Sequence, residues 1–60
     1  MIGQAWRNKR TGFYWLQVRG YIDGRYQVRE YTRPPSGRAW WFAGAWESDA
    51  DARNGAHINL

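Results

Sequence analysis

Aromatic rings and guanidinium groups dominate the side chains of this chain that could do chemistry. There are five Trp, four Tyr and two Phe, and eight of the nine basic residues are Arg, Lys9 being the exception. Rings stack on bases, on one another and on guanidinium planes, and a guanidinium forks onto phosphate or carboxylate. Both types crowd residues 13–32, Phe-Tyr-Trp-Leu-Gln-Val-Arg-Gly-Tyr-Ile-Asp-Gly-Arg-Tyr-Gln-Val-Arg-Glu-Tyr-Thr. This is the chemistry of contact. A ring stacked on a base contributes roughly 1–3 kcal/mol. A Trp, Tyr or Arg anchoring a protein interface costs ~2 kcal/mol or more when truncated.

Catalysis has little to work with. His57 is the only histidine, and it stands in Gly-Ala-His-Ile with no nucleophile beside it. One group does not make a site, so it reads as a surface or packing residue. Asp49 and Asp51 are two apart and do not share a helix face; they read as acids of a helix start. Glu30 points toward the core side, where an Arg or a Trp indole N–H could pair with it. Cysteine is absent, which removes disulfides, thiolate chemistry and zinc clusters. Gly12, Gly20, Gly24, Gly37 and Gly44 are scattered without phosphate-loop spacing. The expectation is a non-enzymatic chain without catalytic residues, metal site or cofactor.

The charge is unevenly spread. The net charge is +4, with eight basic residues against Asp23 and Glu30 in residues 1–46, and Arg53 against Glu47, Asp49 and Asp51 in residues 47–60. A basic body suits an anionic partner, either nucleic acid or an acidic protein surface. No stretch approaches the ~20 apolar residues of a membrane span. The N-terminus lacks the basic-then-apolar pattern of a secretory signal. A complete, soluble protein of the cytoplasm, with no membrane partner, is the reading.

Sixty residues make one domain, residues 1–60. So short a chain buries only about 60% of the surface its unfolded form exposes. Dense aromatic packing and self-association are the aids left to it. Residues 13–22 and 25–32 read as strands joined at Asp23-Gly24, a hairpin signal. Arg33-Pro34-Pro35-Ser36-Gly37 cannot be sheet interior, and residues 38–46 read as a third strand. The fold class is therefore mainly β: a three-stranded antiparallel meander over about 13–46, with a short C-terminal helix or extended tail in 47–60. Ser48 is the candidate N-cap and Gly55 the stop. Residues 1–6 can add a short edge strand through Ile2 and Trp6.

Register assigns the faces. A two-residue Asp-Gly turn would set Ile22 opposite Arg25, Val18 beside Arg29 and Leu16 beside Tyr31, scattering aliphatic residues among charges. A three-residue loop, Ile22-Asp23-Gly24, with Gly24 in the left-handed position of a bulge, gathers them instead. The expected core is then Tyr14, Leu16, Val18, Tyr26, Val28, Trp40 and Phe42, covered by Trp6, Trp46, Ile58 and Leu60. The opposite face collects Phe13, Trp15, Gln17, Arg19, Tyr21, Gln27, Arg29, Tyr31 and Trp41. From it the expected binding residues are Trp15, Arg19, Tyr21, Arg29, Tyr31 and Trp41. Covering by a second copy, as a homodimer, or by the C-terminal tail is the competing use of that face.

Gly-Phe-Tyr-Trp-Leu-Gln-Val-Arg-Gly, then Tyr-Gln-Val-Arg-Glu-Tyr, then Gly-Arg-Ala-Trp-Trp-Phe-Ala-Gly resembles a pattern in very short proteins encoded by bacteriophages and prophages. The resemblance spans roughly residues 12–47. It implies a phage accessory protein that binds a host protein or ribonucleoprotein complex and blocks it, as anti-CRISPR proteins do. Inhibition of a host defence complex in the host cytoplasm is the leading expectation. A single-stranded nucleic-acid binder of regulatory type is the second, and a structural subunit of a phage particle the third.

Overall fold

The structure, a computed structural model, describes residues 1–58. Four strands form one antiparallel sheet in the order β1-β2-β3-β4, with β1 at Ile2–Arg7, β2 at Tyr14–Ile22, β3 at Arg25–Arg33 and β4 at Trp41–Trp46. A single helix, α1, follows at Asp49–Gly55. The mainly β antiparallel meander stands. Residues 2–7 supply a fourth strand, and the last strand begins at Trp41 because Arg38, Ala39 and Trp40 belong to the loop.

Local chemistry explains each join. Asn8 closes the β1–β2 turn: its side-chain oxygen accepts from the N–H groups of Arg10 and Thr11, and its carbonyl accepts from Gly12. Side-chain mimicry of a turn is what Asn does best. Ser48 caps α1 by accepting from the Asp51 N–H, with Asp49 and Asp51 in the first turn and Arg53 in the last. The helix stops at Gly55, where a Cβ would run into the Trp46 indole.

The β2–β3 turn overturns the expected register. Asp23 (φ 55°) and Gly24 (φ 82°) are both left-handed, and Ile22 pairs with Arg25. This is the two-residue turn whose twist matches the flanking strands. Tyr21 therefore pairs with Tyr26, Val18 with Arg29 and Leu16 with Tyr31. Gly24 has positive φ as expected, but in a two-residue loop without a bulge. The grouping of aliphatic residues misled because it assumed that polar side chains face water.

The expected core splits as a result. Val28 and Tyr26 lie on the face that α1 covers, where Val28 and Ala52 are fully buried. Tyr14, Leu16, Val18 and Phe42 lie on the other face, and Trp40 and Phe42 are 41% and 63% exposed. Trp6 and Trp46 do serve the covered face, both half-buried. Leu60, also expected to cover the core, falls outside the described residues. The places expected for apolar side chains are taken by Gln17 and Glu30, both buried under the tail.

Candidate functional site

The corrected register separates the six expected binding residues. Trp15, Arg19, Tyr21 and Trp41 share the helix face, whereas Arg29 and Tyr31 share the open face. Trp15 is already used: it stacks on Trp6 with centroids 6.0 Å apart and on His57 at 3.9 Å. Arg19 reaches Asp49 of the helix at 3.9 Å. Tyr21 and Trp41 stay exposed at the margins, and Tyr21 meets the edge of Tyr26. These six do not make one surface.

The helix face is finished by the chain's own tail. Glu30 is fully buried. Its carboxylate accepts from the His57 N–H at 3.0 Å and the Ile58 N–H at 3.3 Å, with His57 Nδ1 at 3.1 Å. Gln17 donates to the Ile58 carbonyl at 3.4 Å. Glu30 does point to the core side, but its partners are the tail's backbone N–H groups and the His57 ring rather than an Arg or an indole. His57 is a packing residue over Trp15.

Among the described residues no element covers the open face. Its cross-strand rows follow from the pairing. Arg7, Tyr14 and Arg33 form one row; Ala5, Leu16, Tyr31 and Phe42 the next; Gly3, Val18, Arg29 and Ala45 a third. Gly20 beside Gln27, and Ile22 beside Arg25, complete it. Rows on one face repeat roughly every 6.8 Å along a strand. Arg33 lies over the Tyr14 ring at 4.2 Å and the Trp40 ring at 5.3 Å, and donates to the Gly37 carbonyl at 2.8 Å. Arg7 approaches the Tyr14 ring at 6.0 Å. Stacking of this kind holds a guanidinium in place while its edge stays available for an anion. Tyr31 and Phe42 meet edge to face at 6.0 Å.

Charge is segregated between the two faces. Arg7, Arg25, Arg29 and Arg33 project from the open face, and Lys9, Arg10 and Arg38 lie exposed in the loops at its Arg7–Arg33 end. Asp23, in the hairpin turn, reaches Arg29 at 3.3 Å and is the only carboxylate ion-paired on this side among the described residues. The Tyr31 hydroxyl, the largest influence, and Asp23 push the Arg29 guanidinium up from its ordinary value, against the opposing pull of desolvation. Its charge is therefore constant. Glu30, Asp49 and Asp51 all sit on the helix side.

Tyr14, Leu16, Val18, Arg25 and Phe42 are the residues that sequence reasoning left out of the site, and Arg7 and Arg33 enter it as strand residues rather than as edge-loop arginines. The two-residue Asp-Gly turn was the signal for them, since it alone sets the parity of every side chain on β2 against β3. Among the described residues there is no pocket and no group of three metal-ligating side chains, and no helix is long and apolar enough to cross a membrane. No family model, no curated protein and no solved structure matches the chain.

Proposed function

We propose that the open sheet face binds single-stranded nucleic acid. One observation carries this: Tyr14, Tyr31 and Phe42 share an uncovered face with Arg7, Arg25, Arg29 and Arg33, while Glu30, Asp49 and Asp51 sit on the helix side and Asp23 pairs with Arg29 alone. Rings at the surface of a sheet take unstacked bases, and interleaved arginines take the phosphates. Duplex bases are already stacked and offer these rings little. The chain acts as a binding module in the cytoplasm and carries out no reaction.

The experiment is a titration of a fluorescent single-stranded oligonucleotide over a range of salt. Log affinity falls with log salt by about 0.7 per phosphate neutralised on a single strand, so four arginines give a slope of roughly −3. Duplex of the same sequence is bound more weakly. A salt-independent affinity, or none, removes this reading.

The aliphatic centre of the same face favours a second reading. Leu16 and Val18 are half-buried and offer neither a π-face nor a polar group, which suits a protein surface better than a base. Here the face docks on an acidic patch of a host protein or ribonucleoprotein complex and blocks it, as phage accessory proteins of anti-defence type do. Binding to such a complex that survives nuclease, with no affinity for free oligonucleotide, selects this reading over the first.

A further inference from the structure

The outer edge of β4 is the barest edge of the sheet. Its residues, Trp41-Phe42-Ala43-Gly44-Ala45-Trp46, include no charge and no proline. Natural edges are blunted by charges, proline, bulges or a covering segment. β4 has one such device, an extra residue at Ala43 where Tyr31 pairs with Phe42 but Glu30 pairs with Gly44. Among the described residues, no backbone hydrogen bond outside the sheet reaches β4. Trp41 and Phe42 are 54% and 63% exposed.

We infer that β4 pairs antiparallel with β4 of a second copy, about a two-fold axis perpendicular to the sheet, with Phe42 opposite Ala43 of the other copy. Size complementarity is the first support. In this register Trp41 stands opposite Gly44 and Phe42 opposite Ala43, so within the paired strands a large side chain meets a small one at every step.

Parity is the second support. Residues opposite one another in an antiparallel pair share a face. In an unbroken strand, residues 41 and 44 would lie on opposite faces and this register could not form. The bulge at Ala43 corrects it: Trp41 pairs with Thr32 and Gly44 with Glu30, which puts both on the helix face. The bulge is required for this register and excludes those that set Phe42 opposite Gly44; among the registers it allows, this one avoids setting Trp41 against Trp46.

Charge is the third support. Arg38 and Glu47 flank the strand and are exposed, and neither has an ion pair or side-chain hydrogen bond among the described residues. Antiparallel pairing brings the loop that carries Arg38 toward the end of the strand that Glu47 follows in the other copy, whereas parallel pairing brings like toward like. The other edge offers no such match: β1 ends at Arg7, followed by Lys9 and Arg10, with no carboxylate near its start. The pairing is self-complementary and closes as a dimer. It makes one eight-stranded sheet with the two open faces side by side. It needs no ligand, so it stands or falls apart from the nucleic-acid reading.

Sedimentation equilibrium of the ligand-free chain tests it. The chain should show a monomer–dimer equilibrium. R38E and E47R should each weaken the dimer severalfold, since each turns the two attractive flanking contacts of the dimer repulsive. The double variant R38E/E47R should recover most of the loss. Far-ultraviolet circular dichroism verifies that these surface variants keep the sheet. A chain that stays monomeric at every concentration overturns the proposal, and that is the behaviour of an edge reserved for another protein's strand. A dimer indifferent to R38E and E47R overturns it too, placing the contact elsewhere.

Discussion

The helix face and the open face of the sheet are formed by the same strands, yet they satisfy their polar side chains differently, the open face burying only Gln27, against the Ile22 carbonyl of the adjoining strand. On the helix face, Glu30 and Gln17 are buried, and the backbone of His57 and Ile58 answers them. No buried side-chain nitrogen or oxygen among the described residues lacks a partner. On the open face, Leu16 and Val18 stay half-exposed, and Arg7 and Arg33 lean on rings instead of carboxylates. Side-chain polarity therefore does not decide which face is inside. The segment that closes over a face decides it, and here that segment is α1 with the tail behind it.

The largest effect should come from cutting that closure. Glu30→Ala leaves the N–H groups of His57 and Ile58 without their acceptor and removes a fully buried side chain. These bonds are part-buried, so their loss together costs about 1–3 kcal/mol. In a domain this small each kcal/mol shifts Tm by roughly 4–8 °C, so a thermal melt should fall by about 10 °C. Val18→Ala on the open face should cost about 1 kcal/mol, because its site is already half in water. Equal losses at the two positions would dissolve the distinction between the faces.

The elements were legible and the faces were not. Asp23-Gly24, the Ser48 cap with its two aspartates, and the stop at Gly55 are local signals, and each stands where its chemistry says. Local signals also mark the strands of 14–22 and 25–33 as aromatic and β-branched runs. The face of each side chain depends on a partner far along the chain. Glu30 is held by residues 27 and 28 positions later, and nothing around Glu30 in sequence announces them. Grouping Val18 with Val28 gathers the aliphatic side chains on one face, whereas the two-residue turn sets the register that the strands adopt. Phe42 escaped the site for the same reason, since it takes its face from a neighbouring strand.

Binding should divide along the same line, more gently. Phe42 and Trp41 are adjacent, similarly exposed and on opposite faces. At concentrations where the chain is monomeric, Phe42→Ala should weaken single-strand binding by roughly tenfold, the loss of one stacked base at about 1–3 kcal/mol. Trp41→Ala should change it less than about twofold, within the range of a neutral surface substitution. Neither should move the thermal melt far. The reverse ranking would transfer the site to the helix face and return Trp15, Arg19 and Tyr21 to it.

The smallest effect concerns the contact that ties α1 to the sheet. The Tyr26 hydroxyl donates to the Asp49 carboxylate, and Arg19 lies on the other side of the same carboxylate. The hydrogen bond to Asp49, then desolvation, then the charge of Asp49 raise the Tyr26 phenol from its ordinary 10.0, with Arg19 pulling the other way. Ionisation would remove the donated proton and set a phenolate against a carboxylate. The fold therefore favours the neutral phenol, and its folded value lies above its unfolded one. The stabilisation is fully present below pH 10 and is lost as the pH rises through the folded value. Tyr26→Phe should be slightly less stable than the parent at neutral pH, and the two stability curves should converge on the alkaline side. Urea melts of both chains from neutral pH to about pH 11 measure this directly. Curves that stay parallel throughout would mean that Asp49 does not rely on Tyr26, leaving Arg19 and the Ser48 cap to hold the helix against the strands.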